Sequence, residues 1–276
     1  MQDVWTDVHA CLEEALGSHT DPSSIREEIA QLRHLYRNGQ APDFARESAR
    51  WAYAVAYHPA HVFTYLHLLL RRELGPAMFG HTSSPPRILV LGAGAGAETA
   101  AILRWFDSTG FPHAAGTRIM LADRADWFEI RRKMIEPVVG DFARSKQIKV
   151  EHTRIDFTAS GAERFLRNHG GQADLVVAPS LLTELTIPSH RMRLLGHLQN
   201  FMRPHARLAI IDHNVGTLKA DSLSPRGFRV VEQGRQDFRG AVLPKPTQWI
   251  RKHFLRGGAL SSKDSYPMVW SVLERE

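Results

Sequence analysis

The spacing of apolar residues along this chain changes near residue 86. Up to that point it is helical. Ser24-Ile25-Arg26-Glu27 has capping-box spacing, and Ile25, Ile29, Leu32 and Tyr36 then share one helical face. "RNGQAP" (37–42) ends that helix, with Gly39 as a stop and Pro42 as a restart. "DFARESARWAYAVAY" (43–57) predicts a second helix. "HPAHVFTYLHLLLRREL" (58–74) predicts a third, with Pro59 suited to its first turn. "GPAMFGHTSSPP" (75–86), with two glycines and three prolines, reads as the linker of the chain.

Beyond it, short apolar runs alternate with amphipathic stretches. The predicted strands are "RILVLG" (87–92), "RIMLAD" (118–123), "IKVEHTRID" (148–156), "ADLVVAP" (173–179) and "ARLAIID" (206–212). Between them lie helical patterns such as "AETAAILRWF" (97–106) and "ADWFEIRRKMIEPVV" (125–139). Strands alternating with helices imply right-handed βαβ units and a mostly parallel sheet. The end departs from this rhythm: "GFRVVEQGRQDF" (227–238) and "YPMVWSVLER" (266–275) read as two strands joined by a long basic connection. The expected fold is therefore α/β, a Rossmann-like sheet with an antiparallel last strand. The predicted division is an N-terminal helical cap over 1–80 and a cofactor-binding domain over 81–276.

Composition narrows the class little, since 43% hydrophobic and 23% charged residues are ordinary for a globular chain. The start is acidic, without a basic segment and apolar core, and no run approaches the ~18–20 apolar residues of a membrane span. One cysteine, Cys11, excludes an internal disulfide and a cysteine-based zinc cage, so a reducing, cytoplasmic location is expected. Charge is more informative. Residues 1–86 hold 7 Lys/Arg against 10 Asp/Glu, and 87–276 hold 28 against 19. Within the latter, 219–263 concentrate 10 basic and 3 acidic side chains. Such a tract is either a footprint for a polyanion or a solubilising surface.

The candidate chemistry begins at Gly92-Ala93-Gly94-Ala95-Gly96, at the end of the first predicted strand. Glycines there turn the chain sharply and let its backbone lie against a ligand. Gly92, Gly94 and Ala97 fit a dinucleotide pattern, while Gly92, Gly94 and Gly96 fit that of S-adenosylmethionine sites. The second strand ends in Asp123, suited to ribose hydroxyls. The third ends in Asp156-Phe157, an acid and a ring suited to an adenine. The strand pair closing the chain, and the few residues left for a dehydrogenase's substrate domain, favour S-adenosylmethionine over NAD.

Four stretches then carry a resemblance: "RWAYAVAYHPAHVFTY", "LVLGAGAGAET", "ADRADWFEI", and "LLTELT" followed by "SYPMVW". The chain resembles the class I S-adenosylmethionine-dependent methyltransferases, and more narrowly a fungal family that includes a large-subunit rRNA uridine-N3 methyltransferase. The resemblance implies methyl transfer to an rRNA base. Two positions depart from the pattern. Val90 stands where the class often has an acid two residues before the first glycine, and Thr183-Glu184-Leu185 replaces the family's Asn-Glu-Leu.

On this reading Gly92, Ala93, Gly94 and Gly96 pass under the methionine portion, Asp123 holds the ribose, and Asp156 with Phe157 holds the adenine. Trp127 either covers the nucleoside or fills the helix–sheet core. The loop after the fourth strand, from Pro179 through Glu184, lies at the carboxyl edge of the sheet, where open α/β folds bind ligands. Glu184, its one acid, is expected to hold the methionine amine or take a proton from the acceptor. Asp212 and His213 are second candidates for the proton. In the basic tract, Phe228, Phe238, Trp249 and Phe254 alternate with cations, a mix suited to stacking on unpaired bases or to packing the last strands. Trp249, Arg251 and Lys252 are the expected substrate contacts. His58, His61 and His67 lack carboxylate partners at ligand spacing, so no metal is expected. The expected partner is RNA or a small-molecule acceptor. A methyltransferase-like scaffold without catalysis is the reading from another class.

Overall fold

The computed structural model describes residues 2–17, 21–71, 73–80, 82–212, 225–239, 248–254 and 265–276. Five helices come first: α1 (Gln2–Gly17), α2 (Pro22–Arg37), α3 (Glu47–Ala56), α4 (His58–Arg71) and α5 (Leu74–Phe79). Then follow β1 (Arg87–Leu91), α6 (Ala97–Thr109), β2 (Arg118–Asp123), α7 (Phe128–Ser145), β3 (Lys149–Arg154), α8 (Gly161–Gly170) and β4 (Leu175–Pro179). The chain continues through α9 (Leu181–Glu184), α10 (Pro188–Phe201), β5 (Arg207–Asp212), β6 (Phe228–Arg239), α11 (Gln248–Phe254) and β7 (Ser265–Arg275).

The seven strands form one sheet in the order β3-β2-β1-β4-β5-β7-β6. β1 pairs in parallel with β2 and β4, β2 with β3, and β4 with β5. β7 runs antiparallel to both of its neighbours, β5 and β6. The Rossmann-like α/β fold expected from the sequence is the fold observed, reversed last strand included. Near-continuous apolar runs such as "LVVAP" are what a strand covered on both faces requires, and β4 is buried along its whole length.

The N-terminal helices lie on the sheet's own helices. α4 packs along α6 and α1 along α7, and one apolar core runs through all of them. Two local expectations are revised. α2 starts ahead of the predicted capping box: Asp21 is its N-cap, accepting from the Ser23 amide at 3.0 Å, with Pro22 at the first helical position. The stretch read as a linker is in part the helix α5. Its Met78 and Phe79 are buried, and Phe79 stacks on Trp105 at a centroid distance of 5.4 Å. Apolar burial outweighs the weak helix propensity of glycine and proline there. The irregular connection shrinks to the residues before β1.

Candidate functional site

The glycine segment makes the turn from β1 into α6 at the carboxyl edge of the sheet. Gly92, Gly94 and Gly96 have φ of 70°, 46° and 82°, the left-handed region that glycine enters without strain. The three differ in what surrounds them. A Cβ on Gly96 would come within 2.5 Å of Ile135 Cδ1, and one on Gly92 within 3.1 Å of Leu181, so both are packed. A Cβ on Gly94 would make only an ordinary contact, with Tyr53 Cε1 at 3.8 Å. The loop is held from behind by Arg131, a buried cation on α7. Its Nε donates to the Gly94 carbonyl at 2.7 Å, and its Nη1 lies 3.4 Å from His152 Nδ1.

In front of the loop lies a cleft of about 830 Å³, including its open mouth. Gly92, Ala93, Gly94, Asp123, Trp127, Asp156, Phe157, Pro179 and Glu184 all line it, so the ends of β1 to β4 meet at one place. Gly96 and Asp212 are not among the lining residues. Asp212 is 1% exposed and His213 lies outside the described residues.

Asp123 is oriented by three donors. The Gly94 amide reaches one carboxylate oxygen at 2.9 Å; the Ala125 amide and the Trp127 indole N–H reach the other at 2.9 and 3.1 Å. Trp127 is 2% exposed and packs against Phe44 and Tyr53 at centroid distances of 5.1 and 5.6 Å. It therefore fills the core, as one of its two expected readings had it, and its edge also lines the cleft. Asp156 lies at the exposed edge of the cleft, accepting from the Thr158 amide and hydroxyl at 2.8 and 2.7 Å. The Thr158 hydroxyl holds its carboxyl below the usual carboxylate range. Phe157 beside it is buried.

The far wall is formed by α4 and the loop after β4. Ser180 sits at φ 52°, a left-handed conformation costly for a residue with a Cβ, and from it the short α9 carries Glu184 into the cleft. Removal from water, then the charges of Asp123 and Asp212, raise the Glu184 carboxyl to about 8, against an opposing pull from Arg124. From α4 come His58, His61 and Tyr65. His61 Nδ1 lies 3.3 Å from the Tyr53 hydroxyl. Tyr65 shares a hydrogen bond with Ser180, and its phenol is pushed well above its ordinary value, chiefly by burial. His58 is fully buried with no hydrogen bond to either ring nitrogen, and burial lowers it to about 3, so it is neutral. Among the described residues, no three His, Cys, Asp or Glu side chains are grouped to hold a metal ion.

Sequence reasoning passed over Glu98, Arg131 and Tyr65, and weighed His58 only as a metal ligand. Glu98 stood in the quoted "GAGAGAET" and His58 and Tyr65 in "HPAHVFTY", so position was available but burial was not. The basic tract divides. Phe228 and Phe238, in β6, and Phe254, in α11, are buried rather than standing ready to stack. α11 lies against α2, and Trp249 and Lys252 are not among the cleft's lining residues. The Arg251 side chain and much of the tract (219–224, 240–247 and 255–263) lie outside the described residues.

No family model matches the chain, and no curated protein matches it in sequence. Among solved structures it is similar to the N-methyltransferase NodS from Bradyrhizobium japonicum in complex with S-adenosylhomocysteine. That match has a TM-score of 0.45 and 13% identity, over 88% of this chain and 97% of that one. It is also similar to an O-methyltransferase family protein from Burkholderia thailandensis, with a TM-score of 0.43 and 16% identity over 91% and 68%. A third similarity is to TrmN from Thermus thermophilus, with a TM-score of 0.41 and 17% identity over 79% and 53%.

Proposed function

We propose that this chain is an S-adenosylmethionine-dependent methyltransferase acting on a ring nitrogen of an RNA base. The observation that carries the cofactor reading is the sheet. β7 is reversed and inserted between β5 and β6, as in methyltransferase sheets, whereas a dinucleotide fold builds its second half from further parallel units. The cleft fits the group. Gly94 presents bare backbone to the cleft, the oriented Asp123 carboxylate suits vicinal ribose hydroxyls, and Asp156 with Phe157 suits an adenine edge and face.

Bound there, S-adenosylmethionine supplies a methyl group activated by a sulfonium. The chain's own work is positioning, worth up to ~7–11 kcal/mol when two reactants are held in register. Pro179 and Gly92 to Gly94 floor the cleft, and the neutral His58 and Tyr65 exclude water from its deep end. Glu184 accepts the proton of the acceptor nitrogen, for which a carboxyl raised to about 8 is far better matched than an ordinary one.

The RNA acceptor rests on the resemblance to the uridine-N3 enzymes and on the cleft's rim. There the exposed Arg124 and Arg154 offer cations to a phosphate backbone, Arg154 Nε donating to the Arg124 carbonyl at 2.9 Å. The enclosed far wall favours a second reading, a small-molecule acceptor. The test is incubation with labelled S-adenosylmethionine and either rRNA or a small-metabolite fraction, followed by mass analysis of digested nucleosides and metabolites. A methylated base nucleoside is expected. Label confined to small metabolites overturns the RNA acceptor, and no label in either fraction supports the non-catalytic scaffold instead.

A further inference from the structure

The acid missing two residues before the first glycine cannot be supplied from its usual strand. Val90 is fully buried in β1, paired with Leu121 of β2 and Val177 of β4. The cleft nevertheless holds an acid that the roles above do not use. Glu98 is the second residue of α6, lines the cleft, and is 4% exposed. Its side chain accepts from the Thr99 hydroxyl at 3.4 Å and from its own amide, and it forms no ion pair among the described residues. A buried carboxyl without a cation is costly, and such groups normally gain a partner or stay protonated.

The groups around it are accounted for. α4 presents Tyr65, whose phenol feels the Glu98 charge, together with His58 and His61 on the same wall. β2 presents Asp123, and the loop after β4 presents Glu184. Among the described residues, α7 presents Arg131, whose charge favours ionised Glu98 and opposes the effect of burial; its Nε donates to the Gly94 carbonyl, and it forms no ion pair with Glu98. Burial dominates, and the Glu98 carboxyl is raised to about 7.

We infer that Glu98 is the carboxylate that receives the α-ammonium of an amino-acid-bearing nucleoside, in place of the acid absent at Val90. The inference rests on the cofactor reading above. A ligand cation seated against Glu98 favours its ionised form, so binding near pH 7 releases a proton.

Calorimetric titration separates the two claims. S-adenosylhomocysteine carries the amino-acid tail, and 5′-methylthioadenosine carries the same nucleoside and sulfur without it. Wild type is expected to prefer the former. Glu98→Gln is expected to weaken S-adenosylhomocysteine by about 10- to 100-fold, the range of a charge-assisted bond, while leaving 5′-methylthioadenosine unchanged. In wild type at pH 7 the binding heat of S-adenosylhomocysteine should vary with the buffer's ionisation enthalpy, and in Glu98→Gln it should not. Equal affinity of the variant and wild type for S-adenosylhomocysteine overturns the role of Glu98 and leaves the cofactor reading standing. Failure of wild type to bind either ligand overturns both. If Glu98→Gln loses 5′-methylthioadenosine as well, Glu98→Asp decides: a retained preference for the tailed ligand supports the role, and a lost one overturns it.

Discussion

Glu184 and Glu98 are both acids whose charge is disfavoured by burial, and both line the same cleft. Removal from water raises Glu184 to about 8, and Asp123 and Asp212 add to the cost of ionising it. Its protonated form cannot accept a proton, so methyl transfer should rise with pH and level off above about 8. Glu184→Gln should lower turnover by roughly 10²- to 10⁴-fold and remove that limb, with S-adenosylhomocysteine affinity little changed. A wild-type profile that is flat between pH 6.5 and about 8.5 would rule Glu184 out as the base. The same shifts carry a stability sign. A raised carboxyl binds its proton more tightly folded than unfolded, so both acids subtract stability as pH climbs from about 4.5 through 7 and 8.

At this scale the sequence revealed types and order but not depth. Glu184 was legible because it is the one acid in its loop. Glu98 was not, because an acid in the first turn of a helix is usually just a complement to the helix dipole. Only the packing of α4 across α6 turns it into a buried carboxyl facing a ligand cleft. Trp127 was legible as a core residue, but its donation to Asp123 was not.

Among the elements, the five parallel strands were legible to within two residues at either end, four of them as short apolar runs and the polar edge strand β3 by its place in the alternation. The start of α2 and the existence of α5 were not. Gly75 and Pro76 look like breakers in one dimension, but in α5 the lack of a side chain at Gly75 is what lets the Trp105 indole approach. A Cβ there would lie 2.5 Å from Trp105 Cε2 and Cζ2. Gly75→Ala should therefore destabilise the fold by about 1–3 kcal/mol, as overpacking does. Gly196→Ala in α10, where nothing lies within 4 Å, should be neutral or stabilising by up to ~1 kcal/mol. Denaturant unfolding of both variants checks this. Equal stabilities would mean that α5 is not packed against Trp105 as described.

Over the whole molecule, α1 and α4 pack on the sheet's helices α7 and α6 in one apolar core, and Phe44, Tyr53, His58, His61 and Tyr65 line the cleft from the N-terminal side. Sequence pattern predicted a helical cap and a sheet, but not which side chains of the first line the cleft at the edge of the second. No helix among the described residues is long and apolar enough to cross a membrane. The central claim is the choice between two cofactors that the glycines alone leave open. The most direct measurement is calorimetric titration of the wild-type chain with S-adenosylhomocysteine and, separately, with NAD. The account predicts saturable one-to-one binding of S-adenosylhomocysteine and none of NAD. Binding of NAD in preference to S-adenosylhomocysteine would contradict it.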